Sequence, residues 1–315
     1  MKKLIAVCAA AASLVCNSAF AETKKVVNVT YVPTPFNLQL MVMRNQGILD
    51  QELAKHGATV EWHKISSGVH QAKAMASGSV DIASVMNTNS CLMANREGNS
   101  LKVIGTVARP SKIFSLVVSP KFEGDIKDLA SKKVAGVKGT VVQQMLVAQL
   151  AANDMTQSDV KFINMATPKA FNALMAGSID AGLLTSSYIL KAQDGGARVL
   201  ATADGYINPI LISATTDKFA SENPQLVEAF LEAQRKAMNY IKTNHQQAVA
   251  IGATEHGISN EQAEKLTDWS ALASHFGQDD MQALKNDTQF LVENGLMRDG
   301  LDVESLVAPT SATYL

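Results

Sequence analysis

The chain contains the same helix–turn–strand pattern twice. Residues 72–83 read AKAMASGSVDIA, and residues 171–182, about a hundred residues later, read FNALMAGSIDAG. In each copy an amphipathic segment ends at a Gly-Ser turn, and a β-branched residue followed by aspartate then opens an apolar strand. Solenoid repeats recur every 20–50 residues or so, and this longer spacing instead predicts one α/β unit built twice.

The segments before each copy also follow one order. Residues 26–32, 60–65 and 80–85 are strand-like, and helical patterns separate them. In the second unit residues 133–137 mirror the first strand, and a helix follows Gly139 and Thr140. Strands that alternate with helices predict an α/β fold of two lobes, each a mostly parallel sheet flanked by helices.

Two breaks between strand-like segments mark where the chain crosses from one lobe to the other. They lie at Arg109-Pro110 and at Asn208-Pro209. They assign residues 109–210 to lobe 2 and residues 22–108 plus 211–315 to lobe 1. Residues 226–241 form a long amphipathic helical pattern, and the later helical patterns near residues 260–271 and 279–295 are expected to pack on lobe 1.

The first residues are typical of a secretory signal peptide. Lys2 and Lys3 precede an apolar run at residues 4–15, and Ala-Phe-Ala follows at residues 19–21. The run is shorter than the roughly 20 apolar residues that a bilayer span needs. We therefore expect cleavage after Ala21 and a periplasmic location. Cys16 leaves a lipid-anchored form open, although Val15 stands where a small residue would be expected.

The composition narrows the classes of partner. The chain has 28 basic and 29 acidic residues, so it carries no electrostatic footprint for nucleic acid or an anionic membrane. Only Cys91 of its three cysteines follows the predicted signal peptide, and one thiol forms no internal disulfide. The fold must then depend on its apolar core, and Cys91 is expected to pack there as a small hydrophobic side chain. We expect a monomer.

No motif predicts catalysis or a cofactor. Residues 136–140, GVKGT, lack the order of a phosphate-binding loop, and neither Gly-x-Gly-x-x-Gly nor Gly-x-Ser-x-Gly stands where a nucleotide or an esterase nucleophile would need it. His56, His63 and His70 fall on a helix end, a strand and the next helix, so no common face suggests a metal site. The sequence therefore favours binding without chemistry.

The predicted strands end in polar, uncharged residues. Ligands of open α/β sheets bind outside the carboxyl ends of the strands, and helix N-termini there favour anions. At any single position helix capping is the simpler explanation, but the concentration of such residues favours a site. The predicted ligand-binding residues at these ends are Thr34, Phe36, Asn37, Ser67, Gly68, Asn87, Thr88, Asn89, Gly139, Thr140, Thr167, Thr185, Ser186 and Tyr188.

Arg109 is the strongest charged candidate, because it lies at the first crossing and a guanidinium binds an anion through two parallel hydrogen bonds. A solvated arginine at the hinge surface is the alternative. Tyr31 and Phe36 are candidates for an apolar wall, and Tyr31 suits the core equally.

Several short motifs resemble those of one transport family. Residues 62–68, 76–81, 138–140, 176–181 and 223–231 resemble the ABC-transporter periplasmic binding proteins for aliphatic sulfonates, taurine and nitrate. The resemblance extends from about residue 26 to about residue 257. It implies a type II periplasmic-binding-protein fold, whose two lobes close on a small molecule and deliver it to a membrane permease.

The chain departs from this family where sulfonate binders are most distinctive. Residues 86–90 replace a Gly-Asp-x-Pro element, residues 185–188 replace Trp-Asp-Pro-Tyr, and Val32 stands where glutamine commonly follows the first-strand tyrosine. The expected ligand is therefore a small organic anion, sulfonate-like or carboxylate-like. Two alternatives share the fold: an enzyme like the thiamine-pyrimidine synthases, which carry a cysteine-rich motif, and a ligand-sensing domain of a membrane receptor.

Overall fold

The computed structural model describes residues 25–309, and within this range the chain forms ten strands and twelve α-helices. The predicted signal peptide and its cleavage point lie outside the described residues. The strands are β1 (Lys25–Tyr31), β2 (Ala58–Lys64), β3 (Ile82–Asn87), β4 (Leu101–Ala108), β5 (Phe114–Val118), β6 (Lys133–Gly136), β7 (Lys161–Asn164), β8 (Ala181–Thr185), β9 (Arg198–Thr202) and β10 (Leu211–Thr216). The helices are α1 (Leu38–Asn45), α2 (Ile48–Ala54), α3 (Gly68–Ala76), α4 (Thr88–Arg96), α5 (Val141–Ala151), α6 (Thr167–Met175), α7 (Ser187–Asp194), α8 (Asp217–Glu222), α9 (Pro224–Thr243), α10 (His245–His256), α11 (Asn260–Ser270) and α12 (Gln278–Glu293).

The strands form two sheets with one topology. The first has the order β2-β1-β3-β10-β4 and the second the order β7-β6-β8-β5-β9. In each sheet four strands run in the same direction, and the fourth position holds the one antiparallel strand, β10 or β5. Each of these two strands directly follows a crossing between the sheets, so it enters from the opposite direction. The predicted α/β class, with one unit built twice, is confirmed.

The repeated aspartate joins equivalent strands in both sheets. Asp81, before β3, accepts a hydrogen bond from the Asn28 N–H of β1 at 2.8 Å and donates its own N–H to the Asn28 carbonyl at 2.8 Å. Asp180, before β8, exchanges the same two bonds with Lys133 of β6, at 2.8 and 3.0 Å. The aspartates of the sequence repeat are therefore structural clasps between neighbouring strands.

Residues 37–56 have apolar residues spaced as on one face of a single helix, but they form two helices, α1 and α2. Gly47 adopts a φ of 60° between α1 and α2, which glycine tolerates and most residues do not. The break lets α1 and α2 pack separately against α9. A periodicity of buried residues persists across such a break, so the sequence pattern alone does not reveal it.

The helices that follow β10 mainly cover the first sheet. Helix α9 packs on α1 and α2, and α12 packs on α4, whereas α11 also contacts α7 of the second unit. Chain segments 109–113 and 203–210 connect the two sheets. The lobe limits at residues 108/109 and 210/211 stay a prediction. Within residues 25–309 no helix has the length and apolar character that a membrane crossing requires.

Candidate functional site

Side chains at the carboxyl ends of the parallel strands contact one another across the two sheets. The Phe36 N–H, after β1, donates to Ser186 Oγ, after β8, at 2.7 Å. Asn89 Nδ2, after β3, donates to Gln144 Oε1 of α5 at 3.1 Å. A Cβ atom at Gly139 would lie 3.0 Å from the Met93 methyl of α4. The structure thus brings the predicted residues of the first unit together with those of the second.

Asn37 precedes α1 and is fully buried. Its amide Nδ2 donates to the backbone carbonyls of Val32, at 3.2 Å, and Pro35, at 2.6 Å. Its Oδ1 atom is buried and has no hydrogen-bond partner among the residues of the structure. The amide nitrogen therefore orders the loop after β1, while the amide oxygen stays available.

The loop after β3 combines a helix cap with free polar atoms. Asn87 Oδ1 accepts the Ser90 N–H at 3.0 Å and so caps α4. Ser90 Oγ and Asn89 Oδ1 are buried without a partner in the described part of the chain. A Cβ atom at Gly68 would lie only 2.6 Å from Ser90 Oγ, so glycine is required where α3 begins against this loop.

A buried carboxylate supports this loop from behind. Asp287 of α12 accepts hydrogen bonds from the Thr88 hydroxyl and, at 2.7 Å, from Gln144 Nε2. Burial raises the pKa of Asp287 to about 6, against the lowering effect of these two bonds. Thr88, Asp287, Gln144 and Asn89 therefore form one buried hydrogen-bonded chain that runs from the first unit to the second.

Sequence reasoning missed Gln144 and Asp287, although a signal exists. Asp287 lies on the same helical face as the buried Leu284 and Leu291, and Gln144 is one of the buried glutamines of a largely apolar α5. Acidic residues are almost never fully buried unless they are paired. A carboxylate on the apolar face of a helix therefore indicates a buried partner, but the sequence does not identify which one.

On the side of the second sheet, Thr185 ends β8 and Ser186 follows it. Thr185 Oγ1 is buried and has no partner in residues 25–309. Ser186 has φ 56° and ψ −131°, a conformation that is strained for any residue except glycine. This backbone conformation places Ser186 Oγ where it accepts the Phe36 N–H, and α7 begins at the next residue.

His256 joins α10 of the first unit to α7 of the second. Its Nδ1 atom and Ser187 Oγ share a hydrogen bond of 3.1 Å, and its ring lies 5.0 Å from that of Phe36. The Lys191 ammonium donates to the His256 carbonyl at 3.2 Å. Burial lowers the pKa of the imidazole to about 4, so the ring is neutral at pH 7. The local sequence does not indicate that this histidine joins the two units.

The structure gives Arg109 a partner other than a ligand. Its Nε and Nη2 atoms donate to both carboxylate oxygens of Asp280, at 2.7 and 2.6 Å, and Asp280 is fully buried. Asp280 Oδ2 also accepts the Thr106 hydroxyl at 2.8 Å and the Gly277 N–H at 3.0 Å. Arg109 therefore forms an ion pair that anchors the first crossing, and its guanidinium would have to leave Asp280 to make the predicted two-point contact with an anion.

Phe36 belongs to the core. It is buried, and a Cβ atom at Gly252 would lie 2.7 Å from its ring. Its backbone N–H bonds to Ser186 of the second unit, and its place in an apolar wall of the site stays a prediction. Tyr31 is also part of this core. Its ring stacks under the Arg44 guanidinium, 4.2 Å from the ring centroid, and meets Trp62 edge-on.

The remaining predicted residues surround these contacts less directly. Thr140 Oγ1 donates to the Val137 carbonyl at 2.8 Å, and the Gly139 N–H donates to Gln143 Oε1 at 2.7 Å, so both are held within their own loop. The Tyr188 ring packs on Phe171 at 5.4 Å. Thr34, Ser67 and Thr167 are half-buried near the starts of α1, α3 and α6. None of the predicted residues at the strand ends carries a charge.

Comparison with known proteins gives one family. The model of the NMT1/THI5-like family matches residues 53–248. The taurine-binding periplasmic protein of Escherichia coli K12 is 26% identical over 189 residues, which are 58% of this chain and 58% of that protein. The match thus spans less than two thirds of the relative's length.

Solved structures share the fold over nearly the whole chain. The alkanesulfonate-binding protein SsuA of Xanthomonas axonopodis pv. citri, bound to MOPS, superposes with a TM-score of 0.80 at 18% identity, covering 90% of this chain and 98% of that one. The desulfurization enzyme DSZB superposes with a TM-score of 0.68 at 14% identity, covering 92% and 98%. Binding proteins and an enzyme therefore share this architecture. The two sheets together form the periplasmic-binding-protein fold. Because the family model matches more than half of its length, the chain belongs to the NMT1/THI5-like family.

Proposed function

We propose that this protein is the extracytoplasmic solute-binding component of an ABC importer, and that it captures a small organic anion between its two lobes. The buried polar atoms without partners carry this proposal: Asn37 Oδ1, Asn89 Oδ1, Ser90 Oγ and Thr185 Oγ1. A buried polar group without a hydrogen bond costs about 1–3 kcal/mol. Four such atoms at the strand ends of both sheets are accounted for by a ligand that fills their hydrogen bonds.

The helix N-termini at the site favour a negatively charged ligand. Helices α3, α4, α5 and α7 all begin directly after the strand ends or their loops, where their first N–H groups have no intrahelical partners. Such termini attract anions with about 0.3–1 kcal/mol each when exposed and more when partly buried. Arg109 is paired with Asp280, so the anion would be held by backbone N–H groups and hydroxyls.

Capture follows from the way the two units are joined. We place the lobes at residues 22–108 plus 211–315 and at residues 109–210, with segments 109–113 and 203–210 as the hinge. A ligand that contacts both lobes favours the closed arrangement by its extra contacts there. The likeness to the taurine-binding protein supports delivery to a membrane permease from the periplasm.

The properties of Cys91 argue against a thiol-dependent enzyme on this fold. Burial raises the pKa of the Cys91 thiol to about 12, and the side chain is fully buried in α4. A nucleophilic cysteine must be a thiolate and must reach its substrate. Cys91 meets neither condition.

Isothermal titration calorimetry on the chain from residue 22 onward tests the proposal. The ligands are taurine, alkanesulfonates, short carboxylates, amino acids, nitrate and pyrimidines. One class of organic anion should bind with one site per chain and raise the melting temperature by mass action. The proposal is wrong if no member of the panel binds and native mass spectrometry finds no co-purified small molecule.

Two substitutions locate the binding. Ser90→Ala and Thr185→Val each remove a buried hydroxyl at a strand end. Each should weaken the affinity for the anion by about tenfold, the effect of one lost buried hydrogen bond. Ser115→Ala is the matched control, because the Ser115 hydroxyl is also buried without a partner but lies within β5. Equal losses in all three variants would contradict this position of the site.

A further inference from the structure

We infer that the ligand carries a hydrogen-bond donor, an amino or hydroxyl group, in addition to its anionic group. The inference rests on the proposed function and defines its ligand class. It follows from two buried side-chain amides, Asn37 and Asn89. The neighbours of each amide fix its orientation, so that the atom without a partner is the oxygen, which can only accept a hydrogen bond.

The first oxygen is Asn37 Oδ1. Asparagine offers one accepting oxygen and one donating nitrogen. The nitrogen of Asn37 already donates to two backbone carbonyls, at 3.2 and 2.6 Å, and a carbonyl oxygen cannot itself donate. The amide cannot rotate by half a turn without placing its oxygen against both carbonyls. Asn37 therefore presents an acceptor, and this acceptor is the buried atom without a partner.

The second oxygen is Asn89 Oδ1, and its direction is relayed from Asp287. The ionised carboxylate of Asp287 only accepts, so Gln144 must place its Nε2 there, at 2.7 Å. Gln144 Oε1 then accepts from Asn89 Nδ2, at 3.1 Å. The remaining Asn89 Oδ1 is an acceptor, and it too is buried without a partner. Asp287 and Gln144 are thus positioning residues for Asn89.

Both oxygens lie on the same side of the site. Asn37 precedes the helix after β1 and Asn89 lies in the first turn of the helix after β3, and β1 and β3 are neighbours in the first sheet. The hydroxyls of Ser90 and Thr185 both donate and accept, so they do not discriminate between ligands. Backbone N–H groups can hold the anionic end, while the two amide oxygens require a donor from the ligand.

The ligand class is therefore an amino- or hydroxy-substituted sulfonate or carboxylate. An unsubstituted alkanesulfonate or an inorganic oxyanion would leave both oxygens buried and unpaired. A site built to bind a polar group of its substrate rejects an analogue that lacks this group strongly, because its own polar atoms lose their partners.

Matched ligand pairs test the inference by calorimetry at neutral pH. Taurine and 2-hydroxyethanesulfonate are compared with propanesulfonate, and β-alanine and 3-hydroxypropanoate with butanoate. In at least one series the donor-bearing members should bind more tightly than the aprotic member by about tenfold or more. Equal affinities overturn the inference and leave the capture of an organic anion standing. Absence of binding in both series, together with no binding in the wider panel and no co-purified small molecule, overturns the proposed function as well.

The variant Gln144→Leu tests the relay through the ratio of the two affinities. It frees the Asn89 amide to turn, so the preference for the donor-bearing ligand should fall toward one. Gln149→Leu on the same helix is the control, because Gln149 Nε2 donates to the Thr202 carbonyl at 2.8 Å, away from Asn89. If Gln144→Leu does not fold, Asn89→Ala measures the same ratio. An unchanged ratio in the folded variant overturns the role of Asn89.

Discussion

Asp287 and His256 are both buried, and burial moves their pKa values in opposite directions. The pKa of Asp287 rises to about 6, so the folded protein holds this proton more tightly than the unfolded chain does. Its contribution therefore lowers stability as the pH rises from about 4 to 6 and is constant above. The pKa of His256 falls to about 4, so its contribution raises stability between about pH 4 and 6.5. The two effects oppose each other over the same interval.

Asp287→Asn should expose the contribution of His256. Without the carboxyl, the free energy of unfolding should rise more steeply with pH between about 4 and 6, by up to about 1.4 kcal/mol per pH unit relative to the unsubstituted protein. Urea unfolding across this interval measures it. Asp279→Asn is the control on an exposed position of the same helix. Parallel pH profiles for Asp287→Asn and the unsubstituted protein would contradict the assignment.

The Arg109–Asp280 pair predicts a loss of stability without a loss of binding. Arg109→Ala removes two hydrogen bonds from a carboxylate that is fully buried. Because the Arg109 side chain is 36% exposed, we expect about 1–3 kcal/mol, below the range for fully buried pairs. Thermal unfolding measures this loss, with Arg198→Ala as the control for an exposed arginine. If fully folded Arg109→Ala binds the ligand more weakly, Arg109 contributes to the binding site.

At the scale of elements, the aspartates of the repeat explain why both units keep the same pattern. Asp81→Ala and Asp180→Ala each remove an acceptor from the N–H of the neighbouring strand, Asn28 or Lys133. Each should lower the free energy of unfolding by about 1–2 kcal/mol. Asn at either position keeps an acceptor and should cost less, as urea unfolding would show. Similar losses for Asn and Ala would mean that the clasp depends on charge rather than on the hydrogen bond.

Gly68 sets how closely α3 approaches α4. In Gly68→Ala the new methyl group would lie 2.6 Å from Ser90 Oγ and 2.9 Å from Asn87 Nδ2, so the loop after β3 must shift. We expect a loss of about 1–3 kcal/mol in stability and a weaker ligand affinity. Gly277→Ala is the control, since a Cβ atom there meets nothing within 4 Å. Crystal structures with unchanged loop positions would contradict this reasoning.

The sequence predicts elements well where the information is local. The Gly-Ser turns, the strands and the late helices follow from periodicity within about 15 residues. The antiparallel insertion of β5 and β10 does not, because pairing depends on where the chain re-enters a sheet. The site divides in the same way. Polar strand ends indicate its position, but the bond between Gln144 and Asp287 joins residues 143 positions apart. The sequence around Arg109 likewise does not identify Asp280 as its partner.

For the whole molecule, the proposed capture requires open and closed arrangements of the two lobes, and the hydrogen bonds between the two units favour the closed one. Ser186 Oγ accepts the Phe36 N–H at 2.7 Å, and a strained φ of 56° keeps it in place. Alanine at this position carries the same backbone strain as serine and removes only the hydroxyl. Ser186→Ala therefore isolates the contribution of this one bond to closure.

A hydrogen bond of about 1 kcal/mol changes a two-state equilibrium about fivefold. In Ser186→Ala the open form should accordingly gain population, with a larger radius of gyration in solution scattering without ligand and an affinity weaker by up to about fivefold. Saturating ligand should restore the compact form, since binding energy replaces the lost bond. Ser221→Ala, on the exposed side of α8, should change neither quantity. A Ser186→Ala variant with an unchanged radius would place the closing energy elsewhere, and the Asn89–Gln144 contact would be the next to examine by the same scattering measurement.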